Sequence, residues 1–268
     1  MEESRLSTIP NEEVIRIENV SKVFDIGKGN TIVALDNISL SIQKEEFVCI
    51  VGQSGCGKST LLYLIACLDQ PTSGQIYVEG VPVTKPNPKV GMVFQPDSVF
   101  PWLTVRKNIE FGPNLRGLGE GECHRISEKY VKIVGLEGFE DSLPRQLSGG
   151  MKKRVDVARA FANSPDILLM DEPFGALDAM TKERLQFELL HIWDTERKTV
   201  LFVTHDLEEA LVLGSRIVVM GRAPNIIQTI LEVPFERPRS LLLKTSVEFQ
   251  QLRRQLWDLL SESNESVE

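Results

Sequence analysis

The chain has 268 residues, room for one or two domains at roughly 150 residues each, so it can bury a sizeable core without staples. Lys and Arg number 30 against 38 Asp and Glu, a formal charge of -8 that argues against a basic face for nucleic acid. Apolar residues at 42% and charged residues at 25% are ordinary globular usage, which excludes a disordered or fibrous chain.

The opening stretch Met1 to Glu13 is acidic and polar and lacks the apolar core of a secretory signal. No apolar run approaches the roughly 18 residues that span a bilayer, so a cytoplasmic chain is expected. The cysteines Cys49, Cys56, Cys67 and Cys123 are too few and too irregularly spaced for a zinc site or disulfide framework, and they read as reduced thiols.

Val14 to Val20 and Ile38 to Ile42 alternate apolar with polar residues, as flanking strands do, and Phe47 to Val51 is continuously apolar, as a buried strand is. After Gly57, the residues Leu61, Leu62, Leu64, Ile65 and Leu68 predict an amphipathic helix of about three turns that ends before Pro71. Gln75 to Val83 and Val90 to Phe94 are sheet-like. Between Gln95 and Pro165 the pattern turns helical, broken by Pro and Gly, which predicts an inserted helical subdomain. Ile167 to Met170, Val200 to Val203 and Ile217 to Met220 are short runs separated by helical stretches, the grammar of a parallel sheet. Asn225 to Val233 reads as a terminal strand or hairpin. Ser246 to Leu260 reads as a helix with Val247, Phe249, Leu252, Leu256 and Leu259 on one packing stripe, followed by a frayed acidic tail, Ser261 to Glu268.

Between the buried strand and the first helix lies Gly52-Gln53-Ser54-Gly55-Cys56-Gly57-Lys58-Ser59, which fits the phosphate-loop pattern. Glycines let the backbone approach an anion, and the free N–H groups of loop and helix N-terminus point at phosphates. Lys58 would neutralise the β- and γ-phosphates, and the Ser59 hydroxyl would hold Mg2+. A second element, Ile167 to Pro173, puts Asp171 and Glu172 at the carboxyl end of a buried strand, where open α/β sheets bind ligands. Asp171 suits an outer-shell Mg2+ contact and Glu172 suits the polarisation of an attacking water. Together these elements indicate Mg-dependent hydrolysis of a nucleoside triphosphate. Leu147-Ser148-Gly149-Gly150-Met151 opens a further helix whose apolar positions Met151, Val155, Ala158 and Ala162 recur at helical spacing, with Ser148 as its N-cap.

In this order of motifs the chain resembles the ATP-binding subunits of ABC transporters: phosphate loop, Gln95, signature at Leu147 to Met151, Asp171-Glu172, Ala176-Leu177-Asp178 and His205. The resemblance covers about Val14 to Val233. It implies an α/β fold, a phosphate-loop NTPase core with an N-terminal antiparallel β subdomain and an inserted α-helical subdomain. The ATPase domain would span residues 14–240, with the insertion at about 96–164, and residues 241–268 would form a C-terminal helix and tail.

The resemblance also implies ATP and Mg2+ as ligands, with ATP bound by Phe24, by Gly52, Gln53, Ser54, Gly55, Cys56, Gly57, Lys58, Ser59 and Thr60, and by Ser148, Gly149, Gly150 and Asp178. Ser59, Gln95 and Asp171 would hold the metal, and Glu172, His205 and Gln95 would serve catalysis. Two such subunits pair head to tail, so that one subunit's signature closes on the nucleotide held by the other. The family often has Gln where this chain has Met151; Ser148 and Gly150 keep their hydrogen-bonding groups.

The same resemblance implies a separate membrane permease and, indirectly, a solute-binding protein, and places the subunit on the cytoplasmic face of the inner or plasma membrane. Pro96 to Val105 would border the permease contact, with Phe100 and Trp102 on the coupling surface. The phrase Phe-Pro-Trp-Leu-Thr-Val most resembles the nitrate, sulfonate and taurine importers. Regulation through an additional C-terminal domain is not expected. Two rival classes remain at this stage. A soluble ABC ATPase acting on a ribosome or DNA would be told apart by its failure to co-purify with a membrane partner. A phosphate-loop kinase would need a phosphate acceptor, and it leaves Ser148 to Gly150 and His205 unexplained.

Overall fold

In a computed structural model, residues 12–175, 177–221 and 226–265 are described. Ala176 and Asn225 lie outside them, as do most of the acidic N-terminal stretch and residues 266–268.

Strands β1 (Glu13–Gly27), β2 (Asn30–Gln43), β4 (Ser73–Val78) and β5 (Val81–Pro82) form an antiparallel sheet in the order β2-β1-β4-β5. The larger sheet has the order β10-β9-β3-β8-β7-β6, built from β3 (Phe47–Gly52), β6 (Val90–Val93), β7 (Ile167–Asp171), β8 (Thr199–Thr204), β9 (Arg216–Met220) and β10 (Ile227–Glu232). Its strands are parallel apart from β10, which pairs antiparallel with β9 at the edge.

The pleat of β3 explains how the layers stack. Val48 and Ile50 point into one core with Ile17, Leu35, Leu61 and Ile76, so helix α1 (Lys58–Ile65) and the antiparallel sheet cover that face. Phe47, Cys49 and Val51 point into the other core, where Trp193 packs edge-on to Phe47 at 6.1 Å between ring centroids. That face is covered by helices α5 (Ala179–Glu196), α6 (Leu207–Leu213) and α7 (Val247–Glu265). A strand buried on both faces needs an unbroken apolar run, and β3, β7 and β8 each have one. Between β6 and β7 lie α2 (Val105–Leu115), α3 (Glu120–Ile133) and α4 (Gly149–Ala162), which pack on one another.

Several elements differ from the sequence expectation. The β1–β2 hairpin runs well past Val20 and starts well before Ile38, turning at Gly27-Lys28-Gly29. Its outer arms carry the exposed apolar residues Phe24, Ile26, Ile32 and Val33, so burial does not mark them out. Helix α1 ends at Ile65, because Cys67 takes a left-handed φ of 57° and leaves Leu68 exposed. On α7 the inward stripe is Phe249 and Leu256, both fully buried, with the expected Leu252 packed against the same core, while Val247 faces solvent. That helix continues to Glu265, through part of the stretch expected to fray.

Candidate functional site

The carboxyl ends of three neighbouring parallel strands meet at one place. Val51 pairs with Thr204 and Asp171 with Val203, so the loops after β3, β7 and β8 leave the sheet side by side.

The loop after β3 runs from Gly52 to Lys58. Gly57 has a φ of +93°, and a Cβ there would sit 2.3 Å from the Ala34 carbonyl oxygen, so neither backbone nor space admits a side chain. At Gly52 a Cβ would come within 2.6 Å of both Cys56 Sγ and the Met220 carbonyl oxygen. No side chain caps α1, which leaves its first N–H groups for an anion. The buried Lys58 ammonium donates to the carbonyls of Gly52 and Gln53, both at 2.8 Å. Ser54 and Gly55 are exposed at the loop's tip. Gln53 also donates through Nε2 to the Leu260 carbonyl of α7, at 3.0 Å.

Ser59 Oγ donates to Asp171 Oδ1 at 3.0 Å, which joins the phosphate loop to the end of β7. Asp171 is fully buried, and its Oδ2 has no partner among the described residues. Burial pushes its carboxyl above the ordinary value and the neighbouring Glu172 adds to the push, while the Ser59 hydrogen bond and the ammonium groups of Lys58 and Lys153 oppose it. An orphaned buried carboxylate oxygen beside a hydroxyl is a donor set that fits Mg2+ or a water bound to it. No three His, Cys, Asp or Glu side chains among the described residues are grouped so as to hold a metal ion by themselves, so the fit is to an ion that shares its coordination with phosphate and water.

Glu172 leaves β7 with a φ of 45°, a left-handed conformation unusual for Glu, held by its N–H donating to the Val203 carbonyl at 3.0 Å. Its Oε2 accepts from Gln95 Nε2 at 3.2 Å and lies 3.2 Å from His205 Nδ1. Thus Gln95 after β6, Glu172 after β7 and His205 after β8 meet at one carboxylate oxygen. The geometry provides a carboxylate at the carboxyl edge of the sheet, flanked by two polar groups and next to a second, metal-suited carboxylate.

The His205 turn is braced from below. Thr204 Oγ1 donates to the buried Glu209, Asp206 N donates to Thr204 Oγ1 at 3.0 Å, and Lys182 of α5 bridges Asp206 at 2.7 Å and Glu209 at 2.8 Å. Burial works against a charged Asp206, yet Lys182 and the α6 amides hold its carboxyl below the usual range. Nothing in the sequence pattern singled out Lys182 or Glu209. Their signal is charge at positions that fold against the segment after β8.

The other expected residues stand apart from this cluster. Ser148 caps α4, accepting from Met151 N at 3.2 Å, and its end of the helix is exposed. Asp178 caps α5 through Thr181 N at 3.0 Å, and that hydrogen bond holds its exposed carboxyl below the ordinary value. Phe24 lies on the hairpin of the antiparallel sheet, with Lys22 Nζ 4.8 Å from its ring centroid. Thr60 lies in the first turn of α1, half-buried.

A family model described as ABC transporter matches residues 35–175. The chain is 48% identical over 248 residues to an uncharacterised ABC transporter ATP-binding protein, MJ0412, of Methanocaldococcus jannaschii, covering 92% of this chain and 91% of that protein. It is 50% identical over 219 residues to a nitrate import ATP-binding protein, NrtD, of Synechocystis, covering 82% of each. It is 45% identical over 239 residues to an aliphatic sulfonates import ATP-binding protein, SsuB, of Bacillus thuringiensis, covering 89% of this chain and 92% of that one. Among solved structures, the dimeric post-hydrolysis state of the ATP-binding cassette MJ0796, bound to ADP and Pi, aligns with a TM-score of 0.75 at 34% identity, over 83% of this chain and all of that one.

Proposed function

The chain belongs to the ABC transporter family, and from that membership we propose how its residues divide the work of an ATP-driven importer. The protein is the ATP-binding and hydrolysing subunit of such an importer and acts with a second ATPase subunit. The observation that carries the reading is the convergence of Gln95 and His205 on one oxygen of Glu172, beside the Ser59–Asp171 pair.

The phosphate loop, Gly52 to Thr60, binds the triphosphate through backbone N–H groups and Lys58, and Phe24 stacks on adenine. Ser59, Gln95 and Asp171 would hold Mg2+, which supplies positive charge against the β- and γ-phosphates. Glu172 accepts a proton from the attacking water as ATP becomes ADP and phosphate. His205 orients Glu172 and contacts the γ-phosphate. Ser148, Gly149 and Gly150 of a second copy or homologue close on the γ-phosphate by presenting an exposed helix N-terminus, and Asp178 orders the junction. Residues 96–164 act as a helical insertion on the ATPase domain of residues 14–240, with residues 241–268 appended.

A mixing experiment tests the shared site. Ser148→Arg and Lys58→Ala chains should each be inactive alone, and mixed they should recover ATP hydrolysis. Each mixed dimer then holds one site with an intact phosphate loop facing an intact signature. A mixture as inactive as its components would sink the head-to-tail assignment.

No helix among the described residues is long and apolar enough to cross a membrane. By similarity to the import ATP-binding relatives, the subunit works through a separate permease on the cytoplasmic face, fed by a solute-binding protein. Trp102 is 70% exposed with its ring centroid 5.6 Å from that of Phe100, and Phe100, Phe111, Leu115 and Arg159 line a cleft of about 450 Å³. This is the permease contact. Replacing Phe100 and Trp102 together by Ser should leave the hydrolysis of the free subunit unchanged and abolish solute uptake in the assembled transporter, and normal uptake would remove the assignment. The solute is a small anion of the nitrate, sulfonate or taurine kind, by similarity to the relatives named for nitrate and aliphatic sulfonates.

A further inference from the structure

The segment that carries Gln95 leaves the sheet at Val93 and is gripped from there by one face of α4. Lys153 is 1% exposed, and its ammonium donates to the Phe94 carbonyl and, at 2.9 Å, to the Gln95 carbonyl. It makes no ion pair among the described residues, so those carbonyls are the direct compensation for burying its charge. Burial lowers the Lys153 amine below its ordinary pKa, opposed by the fields of Asp156, Asp97 and Asp171. Three residues on, the buried Asp156 accepts from Ser98 N at 2.8 Å and Ser98 Oγ at 2.9 Å. Three further on, Arg159 donates to Ser98 O at 2.8 Å and lies 4.7 Å from the Phe100 ring centroid. Residues at steps of three share a helix face, so Lys153, Asp156 and Arg159 form a ladder along the chain from Phe94 to Phe100.

A buried cation is costly, and packing alone would be served by an apolar side chain. What the ammonium adds is direction: it fixes the two carbonyls flanking the Gln95 backbone, and so the direction from which the carboxamide reaches Glu172. We propose that Lys153 is a positioning residue for hydrolysis, which ties Gln95 to the helix that bears Ser148. Gln95 and Ser148 then move as one body. Seating the signature on a partner's nucleotide and placing Gln95 against Glu172 become a single event. The proposal rests on the role given to Gln95 above.

The test uses the full chain and measures steady-state ATP hydrolysis in Lys153→Met, Lys153→Arg, Gln95→Ala and the double variant Lys153→Met/Gln95→Ala. Misplacing a catalytic group by about 1 Å costs up to about 10²-fold. Lys153→Met should therefore lower kcat about 10- to 100-fold and leave KM for ATP within about twofold, with Lys153→Arg recovering most of the rate. The double variant should be no slower than Gln95→Ala, because Lys153 acts through Gln95. Losses that multiply in the double variant, or a Lys153→Met effect on KM alone, would overturn the proposal and leave the Gln95 assignment standing. A Gln95→Ala variant with unchanged kcat would remove both. Should Lys153→Met fail to fold, Lys153→Ala, which likewise removes every donor, replaces it in the same comparison with the same outcomes.

Discussion

Glu172→Gln should slow ATP hydrolysis by about 10²- to 10⁴-fold, the usual contribution of a general base, while ATP affinity stays within a few-fold of the parent. The side chains differ by one atom in kind and hardly at all in size. Oε1 or the amide can still meet Gln95 and His205, so the local structure survives. What is lost is the capacity to take a proton from water. On the proposed head-to-tail assembly, bound ATP should then persist, and with it the closed pair of subunits, because the γ-phosphate between them is not released. The variant should elute as a dimer in ATP and as a monomer in ADP on size-exclusion chromatography. A fall in ATP affinity that matches the fall in rate would show Glu172 to be a binding residue. Gln is the right replacement for a further reason: the backbone φ of 45° penalises β-branched residues more than it does Gln, and Gly would relax the turn.

Lys58→Ala should cut ATP affinity by on the order of 10²-fold, read by equilibrium titration with a fluorescent nucleotide. The estimate comes from charged hydrogen bonds at about 1.5–3 kcal/mol, with about 1.4 kcal/mol for each factor of ten. The deficit has two sources. The triphosphate loses its cation, and the carbonyls of Gly52 and Gln53, now bound by the ammonium at 2.8 Å, lose their donor. Those carbonyls shape the loop, so the variant should also melt at a lower temperature without nucleotide. Unchanged affinity would leave the loop's N–H groups as the whole of the phosphate site and remove Lys58 from it.

How legible these features were depends on whether their cause is local. The phosphate loop is a contiguous run legible by its own pattern, and Gly57 needs its φ of +93°, although the Ala34 and Met220 backbone that excludes side chains at Gly57 and Gly52 is distant in sequence. The strands β3, β7 and β8 were legible because burial on both faces leaves unbroken apolar runs. Asp171 and Glu172 could be placed because they end such a run. The ladder on α4 was not legible. Lys153, Asp156 and Arg159 are charged residues spaced between apolar ones, the pattern of a solvated helix face, and the long-range approach of residues 94–100 buries the first two and half-buries the third. Lys182 and Glu209 escaped notice for the same reason. The outer arms of the β1–β2 hairpin were obscured in the opposite way, since their apolar residues Phe24, Ile26, Ile32 and Val33 face solvent although the backbone there is paired as a strand.

The thiol of Cys56 sits within the phosphate loop, shielded from solvent, 3.7 Å from the Lys58 ammonium, and pushed up in pKa by burial. A protonated, covered sulfur resists alkylation. Maleimide labelling of this one position, read by peptide mass, therefore clocks how often the loop opens, and any nucleotide that pins the loop should lengthen that clock without a probe being introduced.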